Sequence, residues 1–152
     1  DKDFGLAYAK SQIASQNSLP TKGLAFISLK DRHKNEGVDL AKQLVKLGFT
    51  LCGTEGTANR IIKNGIKCKK INKVSGGSPH IIDVLNSKKI ALVINTGGGK
   101  RAYRIQDSTS LRRSTLINKV PYCTNMSTAY AFLEAIKSLK TKKIEVKSLQ
   151  EI

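Results

Sequence analysis

The residues best suited to chemistry lie in the turn Gly53-Thr54-Glu55-Gly56-Thr57, between a short apolar run and a helical pattern. A helix N-terminus exposes unpaired N–H groups and a partial positive charge, and glycine lets a ligand approach the backbone closely. The turn is therefore a candidate cradle for a phosphate group. Threonine is also a common capping residue, so the turn by itself favours a plain helix cap.

Polar residues also follow the other predicted strands, and the order of strands and helices brings them to one edge of a sheet. Alternating strands and helices form βαβ units with a mostly parallel sheet, whose ligands bind beyond the carboxyl ends of the strands. Lysines, hydroxyls and helix N–H groups together suit a single phosphate group, which favours an anion site over the plain cap. The converging positions are Ser28 and Lys34 after strand one, Thr54 and Thr57 after strand two, Asn72 and Lys73 after strand three, and Asn95 and Thr96 after strand four.

Hydrophobic periodicity predicts the elements that must position these residues. The clearest strand is the apolar run Ile90-Ala91-Leu92-Val93-Ile94, which is typical of a central parallel strand. Strands are predicted over residues 24–29, 49–52, 66–72, 89–95 and 120–124, with a short one near Ile144. Helices are predicted over residues 3–12, 34–47, 57–63, 81–86, 110–118 and 128–139.

The glycine-rich loop over residues 96–100 does not match a known phosphate motif. A nucleotide-hydrolase loop needs glycine where Ile94 stands, and Arg101 replaces its hydroxyl residue. The loop fits a loose dinucleotide pattern, but no acidic residue follows at the distance where a ribose is held. We expect this loop either to let the backbone approach a ligand or to be mobile.

Other residue types offer weaker candidates. Asp83 and Asp107 lie nearest the expected site, where a carboxylate could hold a sugar hydroxyl, move protons, or simply cap a helix or pair with a basic residue. The three cysteines, Cys52, Cys68 and Cys123, are widely separated and odd in number. They argue against a disulfide framework, a zinc site and a cysteine nucleophile, and they favour a reducing, cytoplasmic setting.

The composition limits the classes of partner. The 152 residues include 27 Lys and Arg against 11 Asp and Glu, for a net charge of +16. These basic residues are spread along the chain without alternating aromatics, so we do not expect nucleic acid as the partner. No apolar run approaches the ~20 residues that span a bilayer, so no membrane partner is expected. The chain starts at Asp1 without a signal peptide, and we expect it to be a processed product or a piece of a longer protein.

Several short segments occur in a characteristic order along the chain. In this order they resemble the C-terminal regulatory domain of the carbamoyl-phosphate synthase large subunit, a methylglyoxal-synthase-like domain, over nearly the whole sequence from Phe4. The segments are Phe26-Ile27-Ser28-Leu29 with Asp31 and Lys34, Gly48-Phe49-Thr50-Leu51, Thr54-Glu55-Gly56-Thr57-Ala58, Ile71-Asn72-Lys73-Val74, Pro79-His80-Ile81 with Asp83, Ile94-Asn95-Thr96, Leu111-Arg112-Arg113-Ser114 and Val120-Pro121-Tyr122-Cys123-Thr124.

The resemblance implies a three-layer α/β/α fold with a five-stranded, mainly parallel sheet. It implies a lead-in helix and linker over residues 1–21 and the methylglyoxal-synthase-like domain over residues 22–152. It also implies that the intact enzyme makes carbamoyl phosphate for pyrimidine and arginine synthesis, using ATP, Mg or Mn, and K, together with a glutaminase small subunit. This domain would carry no catalytic residue, metal or cofactor, and would bind effectors: UMP as inhibitor, IMP and ornithine as activators.

The same resemblance implies roles for individual residues. The nucleotide phosphate would be held by Lys34, Thr54, Thr57 and Lys73. The ribose or base would be lined by Ser28, Asn95, Thr96 and Asp107, and ornithine would lie near Tyr122 and Thr124.

Three features depart from the family pattern, and two other functions remain open. Gly97 replaces a usual hydroxyl residue, Cys123 replaces a common acid, and the segment 103–106 is longer. The first change is expected to weaken or alter effector choice, and the second bears on the ornithine response. The alternatives are a free-standing methylglyoxal synthase-type lyase, which needs carboxylates at the strand ends, and a basic nucleic-acid-binding domain, which needs several phosphate contacts.

Overall fold

Strands and helices alternate along the chain in the computed structural model, which describes residues 1–97, 102–146, 148 and 150 without the side chains of residues 75 and 102–105. The strands are β1 (Gly23–Ser28), β2 (Phe49–Gly53), β3 (Lys69–Lys70), β4 (Ile90–Asn95) and β5 (Tyr122–Cys123). The helices are α1 (Phe4–Ala14), α2 (Lys34–Lys46), α3 (Glu55–Lys63), α4 (Ile81–Asn86), α5 (Ala102–Ile117) and α6 (Met126–Thr141). Over the described ranges, no helix combines the length and apolar character needed to cross a membrane.

The five strands form one sheet in the order β3-β2-β1-β4-β5, and every pairing is parallel. The predicted five-stranded parallel sheet is therefore confirmed. From β1 the chain moves outward to β2 and β3, and then returns to pair β4 with the other side of β1. The carboxyl ends of β1 and β4 therefore flank a topological switch point, where open α/β sheets form a ligand crevice.

Alternate side chains of β1 divide the core into two halves, which confirms the three-layer architecture. Ala25 and Ile27 join one buried cluster, and Phe26 joins the other. The first cluster includes residues of α1, α2, α3 and α6, whereas the second includes residues of α4 and α5. This period of two is the ordinary consequence of a strand covered on both faces.

Two predicted elements differ in extent from those observed. The strand predicted over residues 66–72 contains only Lys69 and Lys70, both exposed at the sheet edge, because lysines offer no apolar face to pack. The helix predicted from residue 110 begins at Ala102 in the structure. The prediction missed the first half of this helix because the sequence there lacks the apolar period that marks a buried helix face.

Three other predictions have different outcomes. Helix α3 begins at Glu55, two residues earlier than expected, with Thr54 at its N-cap. The prediction of a strand near Ile144 is wrong, because the described residues 142–146 form no strand. Residues 98–100 of the glycine loop lie outside the described part of the chain.

The lead-in segment, residues 1–21, packs onto the rest of the fold. In α1, Leu6 and Ala9 are buried, and Leu19 in the following linker joins the first core cluster. Asp3 caps α1 by accepting the N–H of Leu6 at 2.8 Å. Its carboxylate also accepts the Ser138 hydroxyl of α6 at 2.8 Å and pairs with Lys142. The ion pair with Lys142, the Leu6 N–H and the Ser138 hydroxyl together lower the pKa of Asp3 well below its ordinary value.

We expect Asp3→Asn to lower the melting temperature at neutral pH, because asparagine keeps the helix cap but loses the charge that attracts Lys142. Since the folded-state pKa of Asp3 is lowered, its charge stabilises the protein fully above about pH 4 and progressively less in stronger acid. The difference in melting temperature between wild type and variant should therefore be constant near neutrality and shrink in acid. An equal difference at both ends of the pH series would contradict this assignment.

Candidate phosphate-binding cleft

A cleft of about 310 Å³ opens at the carboxyl ends of β1, β2 and β4, with α5 as one wall. Most of the residues expected at the effector site meet there, although they are far apart in sequence. The expected residues that line the cleft are Ser28, Lys34, Thr54, Thr57, Lys73, Asn95 and Asp107. Parallel pairing brings them together, because it sets Ser28 opposite Asn95 and Ile27 opposite Gly53 at the ends of adjacent strands.

The N-terminus of α3 forms one wall of the cleft. Thr54 occupies the N-cap position but makes no side-chain cap hydrogen bond. Its hydroxyl instead lies 3.3 Å from Ser28 Oγ and 3.3 Å from Thr57 Oγ1. The alternative of a plain helix cap therefore does not describe Thr54, and the positive end of α3 faces the cleft without the usual side-chain acceptor.

Thr57 binds the backbone of the neighbouring strand end. Its side chain is buried, and Thr57 Oγ1 accepts the N–H of Leu29 at 3.0 Å. This bond fixes the first turn of α3 against the residue that follows β1. Thr57 therefore lines the cleft and also has a structural partner of its own.

The ammonium group of Lys34 reaches over the first turn of α3. Lys34 is the first residue of α2, and its Nζ lies so close to Gly56 that a Cβ there would come within 2.9 Å of it. Glycine at position 56 therefore leaves room for the lysine. The same ammonium pairs with Asp31 at 2.6 Å. The ammonium and the positive end of the helix dipole repel each other here. An anion bound between them would be attracted by both.

Asn95 forms part of the cleft floor through two hydrogen bonds. Its Oδ1 accepts the N–H of Gly97 at 3.0 Å, and its Nδ2 donates to Tyr122 Oη at 3.2 Å. A Cβ at residue 97 would lie 2.7 Å from that same Oδ1, so glycine permits this arrangement. A side chain at residue 97 would therefore require the Asn95 amide to move.

Thr96 lies behind the cleft and is not among the residues that line it. It is buried, and its Oγ1 accepts the N–H of Lys30 at 3.2 Å and lies 3.0 Å from His33 Nδ1. These contacts hold the turn between β1 and α2 against the end of β4. Thr96 therefore holds in place the turn that leads to Lys34 at the start of α2.

The two residues expected at the ornithine junction lie on β5 and just beyond it. Tyr122 is half-buried, contacts the cleft floor through Asn95, and lies under the Arg112 guanidinium at 6.0 Å from the ring centroid. Thr124 is exposed after the end of the strand. Tyr122 is thus connected to the cleft by one hydrogen bond, and Thr124 does not line the cleft.

Several residues that line the cleft received no site role from the sequence, among them Lys30, Asp31, Ser108 and Leu111. The Asp31 and Lys34 spacing of three residues was a usable signal, since such pairs meet in a helical turn. Ser108 had no usable signal, because the first half of α5 was not predicted as helix, whereas Leu111 lies in the helix predicted over residues 110–118. The cleft therefore carries lysines 30, 34 and 73 together with the carboxylates of Asp31 and Asp107.

Cys52, Cys123 and Asp83 do not line the cleft. Burial raises the pKa of Cys52 to about 12 and that of Cys123 to about 12, so these thiols remain protonated and poorly nucleophilic near neutral pH. No group of three or more His, Cys, Asp or Glu within the described ranges could hold a metal ion. Asp83 caps α4: it accepts the Ser78 hydroxyl at 2.7 Å and the His80 N–H at 2.9 Å, which lower its pKa.

Comparison with known proteins agrees with the observed fold and identifies the family to which the chain is similar. A family model described as MGS-like domain matches residues 36–124. The carbamoyl phosphate synthase large chain of Mesorhizobium japonicum is 44% identical over 151 residues, which are 99% of this chain and 13% of that protein. The C-terminal section of the carbamoyl phosphate synthase large chain of Aquifex aeolicus is 45% identical over 157 residues, covering 100% of this chain and 29% of that section. The corresponding section from Methanopyrus kandleri is 43% identical over 153 residues, or 100% of this chain and 28% of that section.

The chain spans less than a third of the length of these curated relatives. The family model covers more than half of this chain, from α2 to the end of the fifth strand. Together with the five-stranded parallel sheet, the match establishes that the chain belongs to the MGS-like domain family, and its curated homologues over its whole length are carbamoyl phosphate synthase large chains.

Proposed function

We propose that this protein is the allosteric effector-binding domain of a glutamine-dependent carbamoyl-phosphate synthase large chain. In this proposal the cleft binds the phosphate of UMP or IMP, and the domain itself carries no catalytic step. The rest of the large chain and a glutaminase small subunit would supply the ligase chemistry in the cytoplasm, with ATP, Mg or Mn, and K. Carbamoyl phosphate would then serve pyrimidine and arginine synthesis.

The observation that carries the proposal is the convergence of Lys34 with the N-terminus of α3. The ammonium lies beside Gly56 in the first helical turn, and the Thr54 side chain does not cap that turn. A phosphate bound between them would accept hydrogen bonds from backbone N–H groups of α3 and a charge-assisted hydrogen bond from the Lys34 ammonium. Lys73 lines the same cleft and would supply a second cation.

The remaining volume of the cleft suits a ribose and part of a base. Asp107 and Ser108 of α5 line it with polar groups, whereas Phe26, Val74 and Ile81 provide apolar surface. A cleft of about 310 Å³ lies at the lower end of the range for small-molecule sites. This mixture of polar and apolar lining supports a single nucleotide, and UMP and IMP would differ in their contacts beyond the shared phosphate.

Regulation requires that each effector bind one conformational state of the intact enzyme better than another. The phosphate contacts are common to UMP and IMP, so they cannot by themselves give opposite effects. The hydrogen bond between Asn95 and Tyr122 joins the cleft floor to the last strand. Ornithine bound near Tyr122 and Thr124 would therefore act next to the nucleotide site.

A lyase acting on a triose phosphate is the second candidate, because Asp31 and Asp107 both line the cleft. Proton abstraction needs a carboxylate that can reach the substrate carbon. Asp31 is held by Lys34 at 2.6 Å, which favours the binding function over catalysis. Incubation with dihydroxyacetone phosphate distinguishes the two: we expect no methylglyoxal, and its enzymatic formation would favour the lyase.

Calorimetric titration with UMP and with IMP tests the phosphate site. We expect saturable binding by the wild type and a loss of roughly 10- to 100-fold in affinity for Lys34→Ala, the value of one hydrogen bond to a charged group. Lys137→Ala is the matched control, because Lys137 is exposed on α6 and does not line the cleft. Equal affinities for the wild type and both variants would exclude Lys34 from the site.

The two threonines should respond differently to loss of the hydroxyl. We expect Thr57→Val to lower the free energy of unfolding by about 1–3 kcal/mol, because the buried N–H of Leu29 loses its acceptor. Thr54→Val should weaken nucleotide binding with a smaller change in stability, since the Thr54 hydroxyl contacts only other hydroxyls among its described hydrogen bonds. Urea unfolding together with calorimetry measures both effects, and the reverse order of stabilities would contradict these roles.

A further inference from the structure

Lys34 already has an anionic partner in the cleft. Its Nζ lies 2.6 Å from Oδ1 of Asp31, three residues earlier in the chain. The Lys34 side chain is 25% exposed, whereas that of Asp31 is 95% exposed. The lysine is thus held in the cleft wall, and the carboxylate approaches it from the solvent side.

The position of this ion pair matters because of what lies beneath it. The Lys34 ammonium stands over Gly56, at the positive end of α3. A cation at a helix N-terminus is destabilised by the helix dipole unless a negative charge accompanies it. The carboxylate of Asp31 supplies a negative charge to this ammonium, which is the contact that a phosphate oxygen would make in the bound state.

We propose that Asp31 is an internal competitor that sets the affinity of this cleft for phosphate ligands. The inference rests on the proposed phosphate site, and it assigns a role to a residue that the sequence comparison left without one. A phosphate group that enters the cleft must break the ion pair between Lys34 and Asp31 before it can pair with the Lys34 ammonium. The displaced carboxylate then repels the phosphate. Asp31 therefore weakens the binding of every anionic ligand while keeping Lys34 oriented in its absence.

Exposure of Asp31 makes the exchange feasible. A carboxylate that is 95% exposed regains hydration when its partner leaves, so the cost of displacing it is small. A buried carboxylate in the same place would block the site instead of tuning it. The expected gain on neutralising Asp31 is correspondingly modest, roughly two- to tenfold in affinity, the range between exposed and half-buried ion pairs.

Asp31→Asn tests the competition, because asparagine preserves the size of the side chain and its ability to begin the short turn over residues 31–33. Asp39→Asn is the matched control: it removes the same charge from α2, where Asp39 is exposed, accepts from Gln43 at 2.7 Å and does not line the cleft. Both variants and the wild type would be titrated with UMP and with inorganic phosphate at low and at high ionic strength.

We expect Asp31→Asn to bind UMP more tightly than the wild type at low salt, with Asp39→Asn close to the wild type. The gain should shrink at high salt, because screening weakens the ion pair and the repulsion alike. A purely structural role for Asp31 would predict the opposite sign, since loss of the ion pair would leave Lys34 without its orienting partner and weaken binding.

The outcomes separate this inference from the proposal on which it rests. Binding by the wild type with equal or weaker binding by Asp31→Asn overturns the competition and leaves the phosphate site in place. Detectable binding by Asp31→Asn alone supports the competition. Absence of binding by the wild type and by Asp31→Asn, with both proteins folded, overturns the phosphate site and the competition together.

Discussion

The parallel pairing of β1 with both β2 and β4 is the constraint on which the rest of the structure depends. It sets Ile27 opposite Gly53 and Ser28 opposite Asn95, so three strands end at one level. This alignment brings Ser28, Thr54 and Asn95 together at the end of their strands, where all three line the cleft. A register shift of one residue in β1 would turn Ser28 away from the site and expose the apolar face of the strand.

The sequence predicted the fold well where the apolar pattern was strong. The run over residues 90–94 identified a central strand, and the order of elements identified a parallel sheet with its site at the carboxyl edge. It failed where packing gives no periodic signal, as in the first half of α5 and in the short edge strand β3. The prediction for the glycine loop concerns residues 98–100, which lie outside the described ranges, so it stays a prediction.

At the site, residue types predicted the location of the cleft better than the roles of individual side chains. Lys34 and Thr54 face the cleft as expected, whereas Thr96 fixes a turn and Thr57 has a structural acceptor role as well. A hydroxyl near a strand end can form a hydrogen bond with a ligand or with the backbone, so sequence alone does not distinguish these roles. Tertiary geometry decides between them, as the bond from the Leu29 N–H to Thr57 shows.

The cleft combines features that oppose one another when it holds no anion. A lysine ammonium stands at the positive end of a helix, and an exposed carboxylate pairs with the ammonium. In the proposed function, phosphate binding exchanges one negative charge for another, so the affinity would depend on the balance between them. If the proposed regulation holds, a conformational change that shifts Asp31 or the turn held by Thr96 would change the affinity for the effector.

The most direct measurement is an amide chemical-shift titration of the ¹⁵N-labelled protein with UMP. The account predicts that the largest shifts fall on the backbone N–H groups of Glu55, Gly56 and Thr57, because the first N–H groups of α3 have no acceptor within the helix and would donate to the proposed phosphate. The same shifts should require much more UMP in Lys34→Ala. Saturable shifts centred away from the first turn of α3, with these three amides unmoved, would contradict the central claim.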